Sequence, residues 1–151
     1  MQRAIPADQT HATPHLVLRD AARAIEFYVR AFGAIETMHL DMPDGRVGHA
    51  ELRIGAARFM LADEFPEFGS VGPATLGGTT VTIAIYVEDV DALVARAVAA
   101  GATLLRPVTD EFYGDRAASL QDPFGHRWRF ATHIEDVSEQ EMQRRLAAMS
   151  G

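Results

Sequence analysis

Cysteine is absent from the sequence, which excludes disulfide bonds, a thiolate nucleophile and a cysteine-ligated zinc site. No apolar run approaches the roughly 18–20 residues that a membrane-spanning helix requires. The first residues, MQRAIPADQTHATP, contain no apolar stretch of the kind that marks a signal peptide. These absences predict a cytoplasmic protein that is not inserted in a membrane.

Positive charge is also scarce. Fourteen basic residues against twenty-one acidic residues give a net charge of −7, so no long-range field attracts nucleic acid or an anionic membrane. We therefore expect neither as a partner. With 48% hydrophobic and 23% charged residues, the 151-residue chain has the composition and the length of one globular domain with a substantial core.

What the sequence does contain is an internal repeat. Residues 16–34, LVLRDAARAIEFYVRAFGA, and residues 85–102, IYVEDVDALVARAVAAGA, each predict an apolar strand followed by a helix that ends in Gly-Ala. Asp20 and Asp89 are suited to cap the two helices, and the glycines are suited to end them in the left-handed conformation. Three strand-like segments follow each helix, so the repeated unit is β-α-β-β-β.

The predicted fold class is α+β, with two βαβββ modules and a C-terminal helix. A capping box at Ser138 and Glu141 marks the start of that helix. The predicted divisions are a flexible lead-in over 1–13, a single domain over 14–136 and the helix over 137–151. Within the domain, the first module spans about 14–63, a linker or mobile flap 64–78 and the second module about 79–133.

Alternation along the strands separates a side that packs on the helices from an opposite side. Trp128 and Phe130 fit the helix side, which turns Arg127 and Arg129 the other way; Val81 is also assigned to the helix side. The opposite side has no lysine but contains histidine, tyrosine and methionine, which favours a partly enclosed cavity over open solvent. The candidate ligand-binding residues on it are His15, His49, Glu51, Met60, Thr82, Tyr86, Ser119 and Arg129.

The doubled unit resembles the vicinal oxygen chelate superfamily, which contains glyoxalase I, bleomycin-resistance proteins and extradiol dioxygenases. The segments that carry the resemblance are LRDAARAIEFYVRAFGA, GGTTVTIAIYVEDVDALVARAVAAGA and DPFGHRWRFATHIEDVS. The resemblance is closest to the PhnB-like branch and covers about residues 13–145. It implies mixed, curved sheets that form a cleft. It also implies a homodimer, and it leaves open whether the modules pair within one chain or swap between chains.

Enzymes of this superfamily typically hold a divalent metal with one residue from the first and fourth strands of each unit. Carried over, these positions fall on His15, near Met60, on Thr82 and on Arg129. Methionine is a soft ligand, a neutral hydroxyl is a poor one, and a protonated arginine cannot ligate. We therefore expect no metal and no other cofactor.

A substitute metal site would combine His15 with His49 and Glu51, which share one side of the first sheet. The strand order of the family places these residues two strand steps apart, roughly 10 Å between backbones, which is a long reach for a shared ion. A simpler interpretation pairs Glu51 with Arg129 or Arg58 as an ion pair.

The primary functional hypothesis is a glyoxalase- or bleomycin-resistance-like protein that binds a small molecule in the cleft between its modules without a metal. Arg129 favours an anionic ligand, because guanidinium groups bind carboxylate and phosphate. The aromatic candidates for stacking on a flat ligand are Tyr86, Phe112, Tyr113 and, in the linker, Phe65 and Phe68. If Arg129 only forms an internal salt bridge, the protein has no such ligand.

Two enzymatic alternatives remain open. One is a metal-dependent lyase, isomerase or dioxygenase of the glyoxalase superfamily. The other is metal-free acid–base catalysis, for which His15, His49, Glu51 and Tyr86 are the candidate residues.

Overall fold

The computed structural model describes residues 2–150 and contains the doubled β-α-β-β-β unit and the C-terminal helix. The elements of the first unit are β1 (His15–Leu18), α1 (Ala21–Phe32), β2 (Ile35–Asp41), β3 (Val47–Ile54) and β4 (Ala57–Asp63). A 3-10 turn (Pro66–Phe68) and the short helix α2 (Pro73–Leu76) follow. The elements of the second unit and the tail are β5 (Thr82–Tyr86), α3 (Val90–Ala100), β6 (Thr103–Asp110), β7 (Asp115–Gln121), β8 (Arg127–His133) and α4 (Glu139–Met149). The α+β fold prediction is confirmed.

The predicted helix caps are also confirmed. The Asp20 carboxylate accepts a hydrogen bond from the Arg23 amide at 3.4 Å, and that of Asp89 accepts one from Ala92 at 3.0 Å. Both helices end at a glycine with positive φ, 68° at Gly33 and 119° at Gly101. These local signals fix where each helix begins and ends.

Each unit forms its own four-stranded mixed sheet, in the orders β1-β4-β3-β2 and β5-β8-β7-β6. The first and fourth strands of each unit pair in parallel, and the remaining neighbours are antiparallel. The two sheets do not close into one barrel within the chain: among residues 2–150, no strand of one sheet pairs with a strand of the other.

The helix sides of the two sheets share one aromatic core with α1. The ring centroids of Phe59 in β4 and Trp128 in β8 lie 5.3 Å apart. Tyr28 of α1 lies 5.5 Å from Phe59 and 5.3 Å from Trp128. Helix α1 also packs against α3. Because both sheets turn their helix sides toward this core, their opposite faces turn away from it.

A buried carboxylate joins the two units inside this core. Asp122, in the turn between β7 and β8, is only 3% exposed. It accepts hydrogen bonds from the Tyr28 hydroxyl at 2.5 Å and the Trp128 indole at 3.0 Å. The amides of Phe124 and His126 also donate to it, at 2.9 and 3.0 Å. The turn was predictable from its sequence, but the contact with a helix 94 residues away was not.

One assignment to the core is wrong. Val81 is 63% exposed, because β5 begins one residue later, at Thr82. The linker contains two short helical turns and is held by Glu64, whose carboxylate accepts hydrogen bonds from the Gly72 amide at 3.0 Å and the Thr75 hydroxyl at 2.6 Å. Within residues 2–150, no helix has both the length and the apolar character needed to cross a membrane.

Candidate functional site

The candidate residues of the first sheet lie together on its open face. His15 and Glu51 are the cross-strand neighbours of Met60, one on each side. The rings of His15 and His49 are stacked, with centroids 6.0 Å apart. His49 Nε2 lies 4.0 Å from Glu51 Oε1. These four residues therefore lie close together on one face, and their role in binding a ligand stays a prediction.

Of the two ion-pair partners predicted for Glu51, Arg58 and Arg129, the structure shows Arg58. Arg58 Nη2 lies 3.4 Å from the Glu51 carboxylate, which is largely buried. The same guanidinium donates through Nη1 to both the carboxylate and the backbone carbonyl of Asp8, each at 3.0 Å. Arg58 thus connects the N-terminal segment to the open face of the first sheet.

His15 also borders the linker. A cavity of about 560 Å³ lies between the exposed side of β1 and residues 71–80 of the linker region. His15, Val17 and His126 line it, and His126 Nε2 donates to the Val17 carbonyl at 3.0 Å. The linker therefore forms one wall beside the first candidate residue.

Arg129 lies at the centre of the open face of the second sheet, between Ala84 and Ser119. Its guanidinium donates to the Tyr113 hydroxyl and lies 5.4 Å from the centroid of that ring. Nη2 is 3.8 Å from a carboxylate oxygen of Asp115. Arg129 is thus positioned by an aromatic ring and a buried acid.

Asp115 contacts Arg129, Tyr86 and His133, and these four residues form a second group of polar side chains. Asp115 is 3% exposed and accepts hydrogen bonds from the Tyr86 hydroxyl at 2.6 Å and from His133 Nδ1 at 3.0 Å. Burial raises the pKa of its carboxyl, but these two hydrogen bonds and the charge of Arg129 outweigh burial, so the pKa lies below its usual value. The carboxylate therefore stays ionised at neutral pH.

The pKa values of His133 and Tyr86, which hydrogen bond to Asp115, are raised rather than lowered. Hydrogen bonds to Asp136, at 2.7 Å from Nε2, and to Asp115 raise the pKa of His133. The hydrogen bond to Asp115 raises the pKa of the Tyr86 phenol. Tyr86 therefore remains a hydrogen-bond donor, which weakens its candidacy as a catalytic base.

The sequence prediction missed Asp115 and His133. The candidate residues of the second module included Ser119 and Arg129 but neither of these two. Period-two alternation would have found both, because counting back from Ser119 through Ala117 reaches Asp115. Counting forward from Arg129 in the same way reaches His133.

The two groups are not joined within the described chain. Among residues 2–150, no hydrogen bond, ion pair or ring contact links the group around Glu51 with the group around Asp115. Thr82 lies apart from both groups, at the exposed start of β5, where it is paired with Arg127. That all eight residues line one cleft stays a prediction.

Strand register corrects one of the positions carried over from the metal enzymes. His15 is opposite Met60 in the first unit, and the equivalent pair in the second unit is Ala84 and Arg129, so the third position is Ala84 rather than Thr82. Alanine has no donor atom. Across residues 2–150, no three histidine or carboxylate side chains are arranged to hold a metal ion. The residues present therefore do not fit the metal site of the enzymes, and the absence of a cofactor stays a prediction.

Comparison with known proteins identifies the family. Residues 9–130 match the model of the Glyoxalase/Bleomycin resistance protein/Dioxygenase superfamily. The Mycobacterium bovis protein Mb0911c is 46% identical over an alignment of 141 positions that covers 91% of this chain and 91% of that protein. TioX from Micromonospora sp. ML1 has a similar structure, with a TM-score of 0.66 and 31% identity over 83% of this chain and 99% of that chain. A PhnB protein from Bacillus cereus has a TM-score of 0.62 at 18% identity, over 82% of this chain and 99% of its own, and shares the fold. The chain therefore belongs to the Glyoxalase/Bleomycin resistance protein/Dioxygenase superfamily.

Proposed function

We propose that the protein binds a small anionic molecule on its open sheet faces, without a metal, and that Arg129 holds the anion. The observation that carries this proposal is the state of the Arg129 guanidinium. Its Nη2 is fixed by Tyr113, whereas Nε and Nη1 hydrogen bond to no protein atom among residues 2–150. Since Nη2 uses only one of its two hydrogens on Tyr113, its second hydrogen, Nε–H and both Nη1 hydrogens are available to a carboxylate or phosphate.

The charges around Arg129 support the same conclusion. The Asp115 side chain is 5% exposed and its oxygens already accept hydrogen bonds from Tyr86 and His133, whereas the Arg129 side chain is 26% exposed. The negative end of the pair is therefore buried and satisfied, and the positive end faces the open side. A ligand that approaches this face meets a guanidinium, with Tyr113 beside it as a flat surface for an aromatic ring.

The homodimer is part of this proposal. In one chain the open faces turn away from the shared core, so neither face is covered by the other. A second copy related by a two-fold axis would cover the face that contains His49 with the face that contains Arg129. Members of this superfamily are often dimers, which supports the arrangement.

Benzoate is a suitable probe, because it combines a carboxylate with one ring. We expect saturable binding in a calorimetric titration and much weaker binding of uncharged benzamide. Arg129→Gln should weaken benzoate binding by about 10- to 100-fold, since a hydrogen bond to a charged group is worth roughly 1.5–3 kcal/mol. Arg127→Gln is the matched control on the same strand and should change the affinity less than twofold. Absence of binding, or equal loss in both variants, contradicts the proposal.

A mixing experiment tests the dimer. Light scattering should give twice the mass of one chain. If each site combines the first sheet of one chain with the second sheet of its partner, a mixture of His49→Ala and Arg129→Gln chains regains one intact site in each mixed dimer. If both faces came from the same chain, no mixed dimer would contain an intact site. A monomeric mass contradicts this part of the proposal.

A further inference from the structure

A separate cavity of about 320 Å³ lies where the N-terminal segment passes beside the start of β4 and faces β5. The Pro14 carbonyl accepts a hydrogen bond from the Met60 amide at 2.8 Å, and Asp8 is bonded to Arg58, so residues 8–14 form one wall. None of the eight residues predicted to bind the ligand lines this cavity. The cavity is therefore distinct from the predicted ligand-binding residues, although it lies next to them: Arg58, the partner of Glu51, and Ala84, the cross-strand neighbour of Arg129, both line it.

The floor of the cavity is apolar and rigid. Phe59, Ile83 and Ile85 line it and are 1%, 9% and 8% exposed. Phe59 is held from behind by the aromatic rings of Tyr28 and Trp128, at 5.5 and 5.3 Å between centroids. A floor that is fixed by the core is preorganised, so a ligand would not need to order it.

Asp8 and Arg58, which both line the cavity, form an ion pair with each other. Arg58 Nη1 lies 3.0 Å from the Asp8 carboxylate. An anionic guest would have to displace Asp8 from Arg58, and a cationic guest would have to displace Arg58 from Asp8. An uncharged guest leaves this ion pair in place, so neither charge loses its partner when the guest binds.

The volume indicates the size of the guest. A cavity of about 150 Å³ with apolar walls holds one benzene molecule. The cavity here is roughly twice as large, which suits two fused rings or a single ring with a substituent. We propose that the cavity between residues 8–14 and β5 is a second binding site, which takes a small uncharged aromatic molecule of about this size.

Indole is the probe for this site, because it has two fused rings and no charge. Titration of the ¹⁵N-labelled full chain with indole should shift the amide resonances of Ala57, Ile83 and Ile85 saturably. Indole-3-acetate has the same rings with a carboxylate, so it is expected to bind at Arg129. At the resonances of Ala57, Ile83 and Ile85, however, it should titrate at least ten times more weakly than indole. No saturable shift of these three resonances with indole, or a tighter titration of them with the acid, overturns the proposal.

Filling the cavity tests its location. Ala57→Phe places a ring inside it and should weaken indole binding more than tenfold. Ala12→Trp fills the cavity from the exposed N-terminal segment. Because position 12 is outside the core, this variant can fold without any repacking of the core. Ala99→Trp, at an exposed position of α3 outside the cavity, is the control and should bind indole like the unmodified protein.

Arg129→Gln separates this site from the one under Proposed function. It should weaken benzoate binding by about 10- to 100-fold and leave indole binding unchanged. Ala12→Trp should instead weaken indole binding more than tenfold and leave benzoate binding unchanged. Filled variants that still bind indole with the original affinity, or shifts confined to the open sheet faces, overturn the second site.

Discussion

The hydroxyl of Tyr28 donates a 2.5 Å hydrogen bond to the carboxylate of Asp122, and this bond ties the helix of the first unit to a turn of the second. Both residues are buried, at 0% and 3% exposure. The carboxylate accepts four hydrogen bonds in total, two on each oxygen. Such a group is costly to leave incompletely bonded.

Tyr28→Phe removes one of these donors and keeps the ring. We expect the free energy of unfolding to fall by roughly 1–3 kcal/mol, because the buried carboxylate loses a partner that water cannot replace. Urea denaturation measures the change. Phe68→Leu, at a residue that is 83% exposed, should change stability by less than about 0.5 kcal/mol. Equal stability of the Tyr28 variant and the original protein would show that the bond contributes nothing.

The histidine of the second group predicts a pH dependence. The pKa of His133 is raised above its model-peptide value of 6.5 by Asp136 and Asp115. Because the folded state binds this proton more tightly, the contribution to stability is complete below the unfolded pKa. It is lost as the pH rises through the folded pKa. NMR titration of the His133 ring should give a midpoint above 6.5.

Variants at Asp115 and Arg127 separate the causes of that shift. Asp115→Asn should lower the His133 midpoint, since it removes one of the two carboxylates that hold the proton. Arg127 is exposed and contacts neither Asp115 nor His133, so Arg127→Gln should leave the His133 midpoint the same. His39, whose pKa Asp41 and Glu36 also raise, serves as an internal reference and should be unaffected by both substitutions. An unchanged His133 midpoint in Asp115→Asn would contradict the hydrogen bond between these two residues.

A steric test is available at Gly114, which precedes Asp115. A Cβ atom there would overlap the Glu135 carbonyl oxygen, and the glycine also has a φ of 97°. Gly45 has a similar φ of 91°, but nothing lies within 4 Å of its Cβ position. Gly45→Ala should cost about 1–2 kcal/mol for the backbone conformation alone. Gly114→Ala should cost more by roughly 1–3 kcal/mol, since the overlap is added. Thermal or urea unfolding of the pair measures the difference, and equal costs would contradict the close approach.

Metal content separates the binding proposal from the metal-dependent alternative. We expect elemental analysis of the purified protein to find well below one zinc, nickel or iron per chain, because only His15 of the four carried-over positions offers a suitable donor. Added metal should also leave the melting temperature unchanged, since an ion that bound the folded state would raise it. One tightly held ion per chain that disappears in His15→Ala would favour the metal-dependent enzyme instead.

Local patterns predicted most of the fold. The helix caps at Asp20 and Asp89 depend only on residues that are close in sequence. So does the alternation that assigned Trp128 and Arg129 to opposite faces of the sheet, and both predictions hold. Alternation assigns a side chain to a face but does not identify its cross-strand partner, and Thr82 and Ala84 share a face. The alignment of Leu16 with Ile85 in the repeat would have placed Ala84, not Thr82, at the position equivalent to His15. The contact of Tyr28 with Asp122 spans 94 residues and depends on how the two units pack, which no local pattern contains.

The placement of the aromatic core between both sheets has a consequence for the repeat itself. Each half of the chain provides one wall for rings that the other half must cover, so neither half would remain folded after a cut in the linker and separation of the fragments. Mixed in solution, the two fragments should regain structure only as a complex. The two β-α-β-β-β units therefore fold as a single cooperative unit, although the sequence pattern repeats.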